Sequence, residues 1–175
     1  MRRTAHRLLA LAMAALALLT TAPPASAATR MNLTCAVTAS LAVAPGLSSV
    51  PHANSFAGTG TVGCVRTNAP QGVLTGTLSL SGTSVPFDTC VEGAGSGTFS
   101  MRLKPAGVPA FTLTGRFTYV RDALALRGPV TMTGDDSGFG SFAAAFAPAP
   151  GQTCLTTPVT RATVAGTANL NGRFA

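Results

Sequence analysis

The sequence has no tryptophan and a single tyrosine, Tyr119. Proteins that grip sugars or single-stranded nucleic acid stack their ligands on exposed aromatic rings, so this shortage argues against both classes. Acid is scarce too: Asp88, Glu92, Asp122, Asp135 and Asp136 are the only carboxylate side chains, and most fall in stretches that read as turns. A glycosidase needs two carboxylates flanking one bond, and these do not form such a pair. Past the first 27 residues one histidine remains, His52, and no Cys-x-x-Cys pair accompanies it, so a tetrahedral metal site lacks its ligands. A G-x-S-x-G elbow, a P-loop and a dinucleotide fingerprint are all missing, because the glycines alternate within strands and do not open helices. Neither metal nor cofactor is expected.

Long hydrophobic runs are absent as well. The longest, Leu8–Leu19, is too short to span a bilayer comfortably. It follows the basic start Met1–Arg7 and precedes Ala25-Ser26-Ala27, a small-x-small cleavage pattern. Residues 1–27 are therefore expected to be a secretory leader and residues 28–175 a single exported domain, with no membrane span after cleavage. The formal net charge is +7. It drops when Arg2, Arg3 and Arg7 leave with the leader, and the remainder is too diffuse to indicate nucleic acid as a partner.

What the chain has in quantity is Thr, Ser, Ala and Gly in regular alternation, with no competing helical period. Phe111-Thr112-Leu113-Thr114-Gly115-Arg116-Phe117-Thr118-Tyr119 is the clearest instance, a strand with one dry face and one wet face. The same pattern predicts strands at Leu33–Val43, Phe56–Arg66, Gly72–Leu80, Thr83–Val91, Ser96–Leu103, Phe111–Val120, Ala123–Thr133, Phe139–Ala147 and Val159–Leu170. This all-β pattern points to an antiparallel up-and-down β-barrel of eight or nine strands, with a β-sandwich as the alternative. Nine up-and-down strands would leave the first and last parallel at closure, which makes Thr83–Val91, with its Pro86, the segment expected to be irregular.

Registers follow from requiring dry faces to meet, since a slip of one residue turns a whole apolar set to water. A turn at Arg121-Asp122 pairs Phe117 with Leu126, Gly115 with Gly128 and Leu113 with Val130. The neighbouring hairpins set Phe99 opposite Gly115, Met101 opposite Leu113, Ala144 opposite Gly128 and Phe142 opposite Val130. The expected barrel interior is thus Phe99, Met101, Leu113, Gly115, Phe117, Leu126, Gly128, Val130, Phe142, Ala144 and Phe146. Earlier in the chain Val62 meets Gly76, Gly60 meets Leu78 and Gly58 meets Leu80. Inward glycines weaken a strand by entropy, so their repetition calls for a reason: strong bending of a closing sheet, or close approach of a ligand. Bending is the expected one.

With Val43 opposite Phe56, Cys35 lies directly across from Cys64 on the same face. That leaves Cys90 to pair with Cys154, and two disulfides suit an exported chain.

Four features invite a functional reading. The order His52, Asp88, Ser137, with Ser137 inside Gly134-Asp135-Asp136-Ser137-Gly138, is similar to the His, Asp, Ser order of chymotrypsin-like secreted proteases, whose nucleophile lies in a GDSGG motif. Here an extra aspartate interrupts the motif and Phe139 replaces its second glycine, and Gly, Asp and Ser are also what a hairpin loop favours. Asp135 and Asp136 are a candidate calcium contact by the same weak signal. The register above sets Arg116 opposite Arg127 on the wet face, which is unfavourable unless the two side chains splay apart into solvent, the expected outcome, or share an anion such as an envelope polymer. Lastly, the loop Lys104–Ala110 is stiffened by Pro105 and Pro109 and suits docking or simple connection. The expectation is a secreted, non-enzymatic binding protein with a small apolar ligand in the barrel. A structural or protein-interaction module of the cell envelope is the alternative, and a secreted serine hydrolase stands third. Whether the barrel is hollow is beyond periodicity.

Overall fold

A computed structural model describes residues 29–174 except 69–71, 108 and 135–136. The expected leader, the Asp135–Asp136 pair and part of the Lys104–Ala110 loop lie outside the described residues. Eight strands run up and down in chain order: β1 (Thr29–Leu47), β2 (Ser55–Arg66), β3 (Val73–Ser84), β4 (Glu92–Lys104), β5 (Phe111–Asp122), β6 (Ala125–Thr133), β7 (Ser137–Pro148) and β8 (Val159–Phe174). Each pairs with its neighbours, and β1 pairs antiparallel with β8, so the sheet closes into a barrel. Closure leaves no sheet edge to template association. The β-sandwich alternative is set aside.

Alternation decides which side faces where. Along β5, Leu113, Gly115 and Arg121 are buried while Thr112, Thr114, Arg116 and Thr118 are exposed. The outer wall is thus largely Thr, Ser and Ala, the reverse of a membrane barrel, whose outer face carries an apolar band. No helix among the described residues is long and apolar enough to cross a membrane.

The sequence registers hold for the first half of the chain. Val43 faces Phe56, and Cys35 faces Cys64. Val62 faces Gly76, Gly60 faces Leu78 and Gly58 faces Leu80, while Phe99 faces Gly115 and Met101 faces Leu113. Both disulfides pair as expected, Cys35–Cys64 and Cys90–Cys154.

Thr83–Val91, the segment expected to be irregular, is not a separate strand: β3 carries straight through Ser81-Gly82 to Ser84, and the following residues fold over one end of the barrel, where Cys90 is tied to Cys154. The registers after β5 are corrected. The turn after β5 falls at Ala123-Leu124, two residues later than expected, with Asp122 facing Ala125. Gly115 therefore meets Met132, Phe117 meets Val130, and Arg116 meets Thr131. Arg127 lies opposite Val120, so the opposed arginines, the candidate anion contact, do not form. Across the next hairpin Leu126 faces Ala144 and Gly128 faces Phe142. The cause is Arg121, which points its side chain inward and is buried. A charge was assigned to a turn on composition, whereas the strand extends to bury it. Every slip is by an even number of residues, so the faces survive even though the partners change.

One end of the barrel is sealed by tight apolar packing of Leu33, Leu74, Leu103, Leu113 and Leu170, all almost fully buried beside the Cys35–Cys64 bridge. The other end is the cap, built from the loops following β1, β3, β5 and β7 and the Cys90–Cys154 bridge.

Candidate functional site

The middle of the barrel is built on missing side chains. Gly93, Gly95 and Gly97 occupy three successive inward positions of β4. Each is covered by a group from outside its strand. A Cβ on Gly93 would collide with the Asp88 carboxylate; one on Gly95 would lie 2.7 Å from Tyr119 Cε1 and 2.8 Å from its Oη; one on Gly97 would lie 2.7 Å from Phe117 Cζ. On either side a Cβ on Gly82 would lie 2.5 Å from Phe56 Cζ, and one on Gly115 would lie 2.5 Å from Phe99 Cε1. The glycines thus form a trough in which rings from adjacent strands lie against bare backbone. The close approach at these glycines is made by the backbone of the adjacent strand and by rings of the protein itself.

Those rings meet at the barrel centre. Phe56 and Tyr119 pack edge to face with centroids 5.7 Å apart, and Phe117 and Phe142 do so at 6.0 Å. Phe56 and Phe117 are 6.2 Å apart in a tilted arrangement. Aromatic contacts of this kind each add roughly 0.5–1.5 kcal/mol beyond burial.

Two cavities flank the cluster. One, of about 100 Å³, is lined only by apolar side chains, among them Leu78, Phe99, Met101, Val130 and Ala168. The other, of about 90 Å³, lies toward the cap between Leu41, Phe56, Tyr119, Leu126 and Phe146, with Asn54, Asp88 and Arg121 at its far end. Leu80, Phe117, Phe142 and Val164 line both and form the partition. All the residues expected inside do face inward. Met101, Leu113, Gly115, Leu126, Val130 and Phe146 are buried, whereas Phe99, Phe117, Gly128, Phe142 and Ala144 are only partly so. The barrel is neither filled by its phenylalanines nor wide open.

The cap-side polar groups are a closed network. Arg121 Nη2 donates to Asp88 Oδ1 at 2.8 Å, with both side chains 3% exposed. The same Nη2 also reaches the carbonyls of Thr89 and, at 3.2 Å, Glu92, while Nη1 donates to those of Cys90 at 2.9 Å and Ala123 at 3.3 Å. Asn54 Nδ2 donates to Asp88 Oδ2 at 3.3 Å, while Asn54 Oδ1 accepts from the Gly46 amide at 3.0 Å. The Arg121 guanidinium also sits 5.8 Å over the Phe146 ring. Gly46 is fixed by backbone geometry: its φ of +124° and a Thr160 methyl 2.9 Å from any added Cβ admit no other residue without strain. Sequence reading missed this network, since it joins residues from three loops and a strand end. The one available signal was Arg121 falling in phase with the dry face of β5.

Tyr119 stands apart from this network. Its hydroxyl makes no hydrogen bond to any described residue, and burial pushes the phenol pKa well up, the nearby Asp88 carboxylate adding to the rise and Arg121 opposing it. The phenol is therefore neutral.

The His, Asp, Ser order does not assemble. His52 turns its ring nitrogens to the carbonyls of Val50 at 2.7 Å and Gly46 at 2.9 Å. Asp88 is committed to Arg121 and Asn54. Ser137 opens β7 beside Arg173, at the end of the barrel opposite the cap. Among the described residues no three His, Cys, Asp or Glu side chains gather as a metal site would require. No protein family matches the chain, and neither a curated protein nor a solved structure is significantly similar to it.

Proposed function

We propose that the protein is a secreted, non-enzymatic binding protein that holds a small apolar molecule inside its barrel. The pair of adjoining interior cavities carries this reading. Protein interiors are packed as densely as organic crystals and contain few voids larger than a water. An apolar cavity on the order of 150 Å³ stays dry and takes up benzene. The two lobes together are of that scale, well below the roughly 300–1,000 Å³ of drug-sized pockets, so the ligand is a compact molecule of roughly six to ten non-hydrogen atoms. Two disulfides accord with export.

Thermal unfolding with and without ethylbenzene tests this. At ten times its Kd a bound ligand stabilises the fold by about 1.4 kcal/mol, a rise in Tm of about 3–6 °C for a domain of this size. Native mass spectrometry of the secreted protein would show any ligand retained from the host. No rise at saturating ethylbenzene, together with no adduct, would make the cavities mere packing defects.

A second reading has its own support. Val50, Phe87, Val91, Leu124 and Leu155 are 58–81% exposed, and all stand on the cap loops. The Cys90–Cys154 bridge and the backbone bonds from Cys90 to Ser48 and from Ala123 to Val91 hold these loops together. Apolar side chains on rigid loops suit a protein-interaction module of the cell envelope.

A further inference from the structure

The cavity has one contact with the outside that neither end of the barrel provides. The β5–β6 ladder is continuous from Thr114 to Phe117 and resumes at Val120, but skips Thr118 and Tyr119 on one side and Gly128 and Pro129 on the other. Proline has no N–H to give a ladder, which accounts for the gap. Over this seam runs an outer groove of about 760 Å³, lined by Ser96, Thr118, Arg127, Pro129 and Ser141. Tyr119 and Phe142 line both the groove and the cap-side cavity. Tyr119 therefore sits where the interior meets the surface.

The charged groups around that cavity are spent on one another and on backbone. Asp88 uses both carboxylate oxygens, Asn54 uses both ends of its amide, and both terminal nitrogens of Arg121 are taken by carbonyls and Asp88. The Tyr119 hydroxyl has no partner among the described residues. This hydroxyl lies against Gly95 on a residue that lines both cavity and groove, and it gains by taking a ligand oxygen as its partner. The adjoining lobe has no polar lining at all.

We infer that the barrel selects small neutral amphiphiles carrying one oxygen function, an alcohol or carbonyl hydrogen-bonded to Tyr119 Oη, with the hydrocarbon body between Phe117, Phe142, Leu80 and Val164. A charged ligand is disfavoured, because the buried charges are already paired with each other and offer it no counterion. This rests on the reading of the barrel as a binding site and goes further by naming the ligand's chemistry and the residue that recognises it.

Benzyl alcohol and ethylbenzene have the same shape and differ only in a hydroxyl for a methyl, so they separate the two readings. Both are titrated calorimetrically into wild-type protein and Tyr119→Phe, which keeps its ring over Gly95. The expected result is a benzyl alcohol Kd weakened about fivefold by the substitution, the loss of one neutral hydrogen bond, with the ethylbenzene Kd changed less than about twofold. Unchanged ethylbenzene binding also shows that the variant folds. If wild type binds both probes and Tyr119→Phe leaves their ratio unchanged, Tyr119 is not the recognition residue and only the general binding reading stands. If wild type binds neither, both fall.

Discussion

Replacing Gly97 by alanine tests whether the glycine trough shapes the barrel. A Cβ there would lie 2.7 Å from Phe117 Cζ and 3.0 Å from its Cε1, and would also meet the Ser81 carbonyl oxygen of β3. The ring can yield a little and the backbone carbonyl hardly at all, so both strands must shift. Overpacking of this kind costs about 1–3 kcal/mol, offset only by the 0.4–1 kcal/mol or so that alanine gains by restricting the unfolded chain. Gly63→Ala is the control, because Gly63 lies on β2 with nothing within 4 Å of an added Cβ. There the unfolded-state gain stands alone, and the variant is expected to be more stable than wild type by about 0.4–1 kcal/mol. Urea unfolding under non-reducing conditions, followed by circular dichroism, should place the two variants on opposite sides of wild type, with at least ~1 kcal/mol between them. Gly97→Ala with Phe117→Leu should show favourable coupling, since the smaller side chain removes the ring from the clash. If Gly97→Ala proved as stable as Gly63→Ala, ring-on-backbone packing would not be what the inward glycines serve.

The cap gives a second expectation. Asp88→Ala leaves the Arg121 guanidinium buried without its counterion, a loss of about 3–5 kcal/mol, and the double variant with Arg121→Met recovers only part of it because the carbonyls of Thr89, Cys90, Glu92 and Ala123 then lack their donor. Urea unfolding of the single and double variants reads this, and a single-variant loss below about 1 kcal/mol, typical of surface pairs, would contradict it. Tyr119 gives a third. Its folded pKa lies above the unfolded value near 10, so the stabilisation from keeping the phenol protonated is complete below about pH 10 and fades as pH rises from there toward the folded value. As Tyr119 is the only tyrosine and tryptophan is absent, near-ultraviolet phenolate absorbance reports it alone; folded protein titrating near pH 10, like the urea-unfolded chain, would refute the buried phenol.

Alternation of side chains carried most of the fold. Inward and outward faces are set by parity, and parity survived every error: Phe117 was assigned Leu126 and found Val130, yet both partners belong to the interior. Registers came out right where the connecting loop was placed correctly, as where Val43 opposite Phe56 brought Cys35 to Cys64. Those that depended on the turn after β5 did not. Arg121-Asp122 looks like a turn because charge normally belongs in water, and only Asp88, distant in sequence, makes burial of Arg121 affordable. A dry-face rule that excludes charge cannot foresee a charge neutralised by a loop folding in from another hairpin.

The glycine trough was legible in principle and was passed over. Gly93-Ala94-Gly95-Ser96-Gly97 resembles a flexible connector, and the strand was expected to start only at Ser96. Residues at i, i+2 and i+4 of a strand share one face, so the same five residues also spell a strand whose inner face is bare backbone. What distinguishes the readings is the supply of rings on the neighbouring strands: Phe117 and Tyr119 on β5 fall at the positions opposite Gly97 and Gly95. A glycine run beside an aromatic run in matching phase is one packing unit divided between two strands. The cavities follow from the same division. The rings over the glycines pack on one another at the barrel centre, and the space on either side of them, divided by Leu80, Phe117, Phe142 and Val164, is left as the two cavities. On the proposed reading, substitutions that refill the trough, such as Gly97→Ala, push the rings into that space and should therefore weaken ligand binding as well as stability.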